Sequence, residues 1–236
     1  MRSRPPLILA VAQPRCDDGD LAANARHHAE CIRAARARVV VFPELSLTGY
    51  RFDAEPVHAG HAAFDRIIEA CQHIGTIALV GAPEQTDEGR HLSMWYVATS
   101  GARPLYRKMW LGEAEEPHFT AGDSPAVLEV DGWRLGLAIC KDTGVPDHAA
   151  ATAALGIDAY VAGVLEHDED RDVPAVRARR IAAEHGVWVA MAAFAGSTGE
   201  GYERAGGCSG IWRPDGSEAA RAGVEVAEVV SVPLTG

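Results

Sequence analysis

The stretch Val39-Val40-Val41-Phe42-Pro43-Glu44 decides the fold class. Four apolar residues in a row, three of them β-branched, suit a short strand covered on both faces, the usual environment of a parallel strand in layered α/β proteins. Pro43 then stiffens the chain, so the Glu44 carboxylate is delivered directly into a loop. Working upstream, residues 7–13 repeat the buried-strand pattern. Between the two strands, residues 17–36 predict a helix capped by Asp17 or Asp18, with Leu21, Ala25, Ala29, Ile32 and Ala35 at helical spacing. Downstream, Phe64, Ile67, Ile68, Cys71 and Ile74 share one helix face, Gly75 ends that helix, and residues 76–80 read as a third strand. The chain therefore opens β-α-β-α-β.

The middle of the chain changes character. Residues 91–99, 104–107, 126–130 and 133–139 are strand-like and separated by turn signals such as Ser100-Gly101 and Asp131-Gly132, which predicts hairpins. After Cys140 the alternation resumes, with a helix over 147–155, a strand over 159–164, a helix over 174–185 and a strand over 187–194. Residues 207–213 and 225–232 close the chain around the turn Pro214-Asp215-Gly216. No Pro/Gly/Ser-rich linker divides it, so residues 1–236 are expected to form one layered α/β domain. The glycine-rich stretch 196–210 lacks a Walker Lys-Ser/Thr pair and opens no helix, so it reads as a loop rather than a phosphate cradle.

Composition narrows the partners. Of 236 residues 47% are hydrophobic, enough for a sizeable core, and 22 Lys and Arg against 33 Asp and Glu give a net charge of −11. That sign repels phosphate backbones and anionic lipid, so neither nucleic acid nor a membrane is expected as partner. The apolar run Leu7–Ala12 is shorter than the roughly 7–15 residues of an export segment, and no run approaches a span of about 18, so a cytoplasmic protein is expected. The five cysteines show no CxxC pair, which points to reduced thiols. His58 and His61 lack a third ligand at suitable spacing and the acidic run 167–170 reads as a solvated loop, so no metal is expected.

Three ionisable residues stand where a strand runs out, the position at which layered α/β folds expose working groups: Glu44, Lys108 and Cys140. Taken singly, each has an ordinary alternative. Glu44 suits a helix cap or a surface charge. Cys140 follows a strand with Trp133, Leu135, Leu137 and Ile139 on one face and Gly136 and Ala138 on its own, and a buried structural thiol would look the same. Cys31 and Cys71 lie along apolar helix faces, and Cys16 and Cys208 in turn-rich context, so these four are read as structural.

Together, Phe42-Pro43-Glu44-Leu45-Ser46-Leu47-Thr48-Gly49-Tyr50, Tyr106-Arg107-Lys108-Met109-Trp110-Leu111 and Gly136-Leu137-Ala138-Ile139-Cys140-Lys141-Asp142 resemble the nitrilase superfamily of carbon–nitrogen hydrolases. The similarity extends from about residue 7 to residue 234, including Gly206-Gly207, Ser209 and Pro214-Asp215-Gly216. The resemblance implies a four-layer α-β-β-α sandwich with two mixed sheets, a homodimer paired through one helical layer, and a cofactor-independent site built from a Glu-Lys-Cys triad and a second glutamate. On the matched positions it makes Cys140 the nucleophile, Glu44 its base, Lys108 the oxyanion cation and the backbone N–H of Lys141 the second oxyanion donor. Chemistry agrees with that division, because a thiol of ordinary pKa near ~8.5 needs a base within hydrogen-bond reach and a developing oxyanion needs positive charge.

Counting back from Phe119 and Gly122, the second glutamate falls on Glu115 rather than Glu116, and Glu113 is too distant. Lys141 departs from the aromatic residue or histidine that often follows the nucleophile. Trp110 and Glu166 are expected to line the substrate pocket, Glu166 favouring an amine-bearing substrate. The compact length points to a stand-alone amidase acting on a small linear amide or N-carbamoyl compound, with release of ammonia or an amine. The competing readings are a nitrilase and a binding protein that keeps the fold without turnover.

Overall fold

The computed structural model describes residues 4–235. Along β1 (Leu7–Ala12) the side chains serve two cores in turn: Leu7, Leu9 and Val11 enter one, Ala10 and Ala12 the other. Such a strand must be covered on both faces, and its neighbours obey the same rule. β2 (Val39–Val41) pairs parallel with β1 and with β3 (Ile77–Thr86). β4 (Gly89–Ala98), β5 (Gly101–Arg107) and β14 (Val229–Leu234) extend this sheet by antiparallel pairing, in the order β14-β1-β2-β3-β4-β5.

A second sheet has the same plan. β7 (Trp133–Ile139), β8 (Ala159–Val164) and β9 (Trp188–Ala193) run parallel. They are flanked by the antiparallel strands β6 (Val127–Val130), β12 (Gly210–Trp212) and β13 (Glu218–Arg221), in the order β13-β12-β9-β8-β7-β6. A small separate ladder joins β10 (Ala195–Gly196) to β11 (Ala205–Gly206).

The sheets stack face to face, with Leu9, Val41 and Leu79 of the first sharing a core with Leu137, Val161 and Ala190 of the second. Helices α1 (Leu21–Ala35) and α2 (Ala63–Ile74) cover the outer face of the first sheet through Ala25, Ala29, Ile32, Phe64 and Ile67. Helices α3 (Pro146–Ala153) and α4 (Val173–His185) cover the second through Ala149, Ala178 and Ile181. The architecture is the α-β-β-α sandwich with two mixed sheets. Among the described residues no helix is long and apolar enough to cross a membrane.

Some element boundaries differ from the expectation. Helix α1 is capped by Asp20, whose Oδ1 accepts from Ala23 N at 2.9 Å, whereas Asp17 is held by His27 and by the Asn24 side chain. Strand β3 does not stop at Val80 but runs six residues further as a ribbon with β4. Its polar Glu84 can lie buried there because Arg107 and Ser93 hydrogen-bond it. The last strand begins at Val229, because the preceding residues form a turn in which Ala227 N donates to Gln13 O at 2.7 Å. Strand β13 has no apolar alternation to announce it. It is an edge strand, set by the turn in which Asp215 accepts from Ser217 N at 2.8 Å.

Candidate active site

Three strand ends from two sheets converge on one point. From β2 the chain passes through Phe42 and Pro43 to Glu44 and then to Leu45, a non-glycine residue at φ +50°. This segment is wedged between two glycines. A Cβ on Gly81 of β3 would collide with Pro43 O and Leu45 N, and one on Gly163 of β8 would stand 2.6 Å from Phe42 O. One glycine from each sheet thus lets the Glu44 backbone bridge them. Lys108 follows β5 directly. Cys140 follows β7 at φ +42° and opens a tight helical turn, Cys140–Gly144, so the thiol sits on a strained backbone at the sheet's edge.

Lys108 Nζ lies 2.7 Å from Glu44 Oε1 and 2.7 and 2.8 Å from the two oxygens of Glu115. All three side chains are at most 2% exposed. Glu115 also accepts from Tyr50 OH at 2.7 Å and from Gly112 N, which fixes both of its oxygens. Glu44 is different: its Oε2 is buried and has no hydrogen-bond partner among the described residues. A buried carboxylate oxygen left free is costly unless something is to be received there. The Cys140 thiol is half-buried and donates to Leu165 O at 3.4 Å.

The electrostatics separate the two carboxylates. Burial raises Glu44, the Lys108 ammonium opposes it, Glu115 adds to the rise, and the result is about 8. Burial also acts on Glu115, but the Lys108 charge and the hydrogen bonds from Lys108, Gly112 and Tyr50 outweigh it, and its pKa falls below the ordinary value. Burial disfavours the Lys108 cation, yet Glu44, Cys140 and Glu115 hold its pKa above normal. Cys140 is raised well above an ordinary thiol by burial and by Glu44, with Lys108 pulling the other way. The resting site therefore holds a thiol beside a carboxylate of elevated basicity, and a firmly charged lysine between two glutamates.

The remaining candidates separate cleanly. Glu115 is buried and bound to Lys108, whereas Glu113 and Glu116 are exposed. Glu115→Gln should therefore lower kcat by roughly 10²-fold, by loss of a charge-assisted positioning contact, while Glu116→Gln should be nearly silent. Steady-state kinetics on both variants decide it, and a large loss confined to Glu116→Gln would reverse the assignment. Lys141 sends its Nζ to Leu111 O, and its backbone N–H lies in the first step of the Cys140–Gly144 turn, where helix N–H groups lack intrahelical partners. Trp110 is half-buried with its ring edge-on to His148, 5.4 Å between centroids. Glu166 is bound to Arg177 at 2.8 Å. His58 and His61 meet edge to face, 5.7 Å apart, near the start of α2.

Several residues of the site were not singled out from the sequence. Asp142 accepts from Ile139 N at 2.9 Å, Trp110 N at 2.9 Å and Tyr106 OH at 2.7 Å, tying the Cys140–Gly144 turn to the chain just after Lys108. His148 joins Tyr106 OH to Tyr160 OH behind it. Above the charges, Tyr50 meets Phe52 and Tyr202 edge to face, and Tyr202 stacks on His167 at 4.0 Å. The position of Asp142, two residues beyond the strand-end Cys140, was the one signal available in advance.

Two stacked mixed sheets between helical layers, with charged and thiol side chains gathered at their strand ends, define a nitrilase-like α/β protein. The carbon–nitrogen hydrolase family matches residues 8–235, and the chain belongs to that family, within the nitrilase superfamily. It is 35% identical over 224 residues to a "hydrolase in pqqF 5'region" from Pseudomonas protegens, covering 89% of this chain and 77% of the relative. It is 27% identical to an (R)-stereoselective amidase from a Pseudomonas species, covering 82% of this chain and 73% of the relative. Among solved structures, an amidase from Nesterenkonia superposes with a TM-score of 0.86 at 23% identity, covering 100% of this chain and 92% of that one. Nit3 from Saccharomyces cerevisiae does so with a TM-score of 0.87 at 20% identity, covering 99% and 91%.

Proposed function

We propose that this carbon–nitrogen hydrolase cleaves a small linear amide or N-carbamoyl compound through a thioester on Cys140. The observation that carries the reading is the free Glu44 Oε2 in a site where Oε1 is already fixed by Lys108. That oxygen takes the thiol proton as sulfur attacks the carbonyl carbon. The oxyanion gathers charge against Lys108 and the Lys141 N–H. Glu44 then gives its proton to the departing nitrogen, the C–N bond breaks, and ammonia or an amine leaves. Water next attacks the thioester while Glu44 removes a proton. The C–S bond breaks, the acid departs and the sulfur regains its proton. Glu115 holds Lys108 in place through both oxygens.

A raised but not extreme pKa suits a group that must both take and give a proton near neutrality. Two further elements belong to the same proposal. Residues 1–236 act as one domain, and copies pair through a helical layer, where Leu155 after α3 and Val176 on α4 are exposed.

Ammonia release from a panel of amides, ureas and nitriles, with Cys140→Ala as control, tests the reading. Amides should exceed nitriles of the same acyl group, and faster turnover of the nitrile would favour the nitrilase alternative. On the best amide, kcat/KM should be lost as pH falls through the Glu44 pKa, because the base must be deprotonated. The acid limb is therefore expected near 8, not at the ordinary carboxylate value of 4.5.

A further inference from the structure

Two directions around the Cys140 sulfur are taken in the reading above, on which this inference rests. Glu44 occupies the side of the leaving nitrogen, and Lys108 with the Lys141 N–H the side of the carbonyl oxygen. The acyl substituent is left with the third side, where Cys140 Sγ meets Leu165 O at 3.4 Å. The next residue is Glu166, whose charge is felt by the Cys140 thiol and by the Tyr202 hydroxyl.

Glu166 is held firmly for a loop residue. Its Oε1 accepts from Arg177 Nη1 at 2.8 Å, its backbone carbonyl accepts from Gly206 N at 3.0 Å, and its side chain is 20% exposed. Arg177 comes from α4 and also reaches Thr143 Oγ1 at 3.5 Å, and that hydroxyl donates to Cys140 O at 2.6 Å. The carboxylate is thus fixed relative to the nucleophile through the nucleophile's own turn. Its Oε2 makes no hydrogen bond among the described residues, and the neighbouring His167 ring stacks on Tyr202, whose hydroxyl feels the Glu166 charge.

We propose that Glu166, buttressed by Arg177, determines acyl specificity, accepting a hydrogen bond from an N–H or O–H on the acyl part of a neutral amide and turning away acyl groups that carry a carboxylate. This widens the expectation of an amine-bearing substrate to any acyl group that offers an N–H or O–H donor. Glu166 directly follows Leu165, whose carbonyl meets Cys140 Sγ, and its negative charge is felt at the thiol, so an incoming carboxylate meets like charge there.

Two measurements on wild type, Glu166→Gln and Glu166→Ala test the proposal. The first compares alkylation of Cys140 by iodoacetamide and by iodoacetate, probes of equal size that differ in charge, followed by peptide mapping. The neutral reagent should be favoured, and Glu166→Gln should narrow the ratio by roughly tenfold. The second compares kcat/KM for 3-hydroxypropanamide and butanamide, equal in length but differing in a donor. Wild type should prefer the hydroxyamide by about tenfold or more, and Glu166→Ala should abolish the preference.

Ratios that stay the same in wild type and both variants overturn the proposal. If amides are hydrolysed but neither ratio moves, the acyl assignment fails and the hydrolase reading stands. If no amide is hydrolysed while Glu166→Gln shifts the alkylation ratio, the amidase reading fails and the Glu166 assignment survives. Glu166→Gln preserves size and keeps one oxygen to accept from Arg177, so the first measurement does not depend on the alanine variant folding.

Discussion

Cys140→Ser should reduce kcat/KM by at least about 10⁴-fold while leaving the melting temperature nearly unchanged. Serine fits the same half-buried position and can donate to Leu165 O as the thiol does. What it lacks is an ionisation that Glu44 can drive. Glu44 is pushed up to about 8, far below an alcohol, so the alkoxide would never be populated. The thiol itself is raised by burial, and so the site does not hold a standing thiolate. On the proposed mechanism its reactivity arises as the proton passes to Glu44 during attack. Cys140 should be alkylated before Cys16, Cys31 and Cys71, which burial pushes up to about 11, 12 and 12 without a base beside them. A serine variant within tenfold of wild type, or an active enzyme whose Cys140 has been fully alkylated, would refute the nucleophile assignment.

Lys108→Met is expected to damage both rate and stability. The methionine keeps much of the volume but withdraws the positive charge from between Glu44 and Glu115, leaving two desolvated carboxylates facing each other. Breaking a buried ion pair by removing one partner costs about 3–5 kcal/mol, which for a chain of this size corresponds to a fall in Tm of roughly 10 °C. The sign with pH is fixed. Without Lys108 both carboxylates have folded-state pKa values above their unfolded ones, so the deficit is full at alkaline pH and shrinks as pH falls through the raised values. Turnover should drop by about 10³-fold, as an oxyanion donor is lost. Thermal melts of both proteins at acid and alkaline pH, with parallel kinetics, check this. An equal deficit at both pH values would show that Lys108 acts by packing alone.

The strands that face two cores were legible because uninterrupted apolar runs such as Val39-Val40-Val41-Phe42 have few alternatives, and the glycine at position 75 marks the end of α2 in both sequence and structure. Strand β13 and the far half of β3 were not, because the pairing that fixes them comes from a neighbouring strand or turn rather than from their own periodicity. Glu44, Lys108 and Cys140 drew notice because charged or thiol groups at strand ends stand out. Choosing Glu115 over Glu116 needed the family's spacing, since both are glutamates before one proline and only tertiary contacts bury the first. Apart from the position of Asp142, the network it forms with Tyr106, His148 and Tyr160 was silent, because its members are scattered along the chain and each alone passes for a core residue with a polar partner.

The wedge of residues 42–45 between Gly81 and Gly163 has a consequence for how the molecule becomes competent. Glu44 and Lys108 belong to the first sheet and Cys140 to the second, so neither half of the chain contains a reactive centre in miniature. A folding intermediate with both sheets formed but undocked would have nearly all of its secondary structure and none of its chemistry. In a native molecule whose sheets parted slightly, Glu44 and Cys140 would separate with every strand still formed. On the proposed mechanism, competence would report on the seam between the sheets, lost and regained with it.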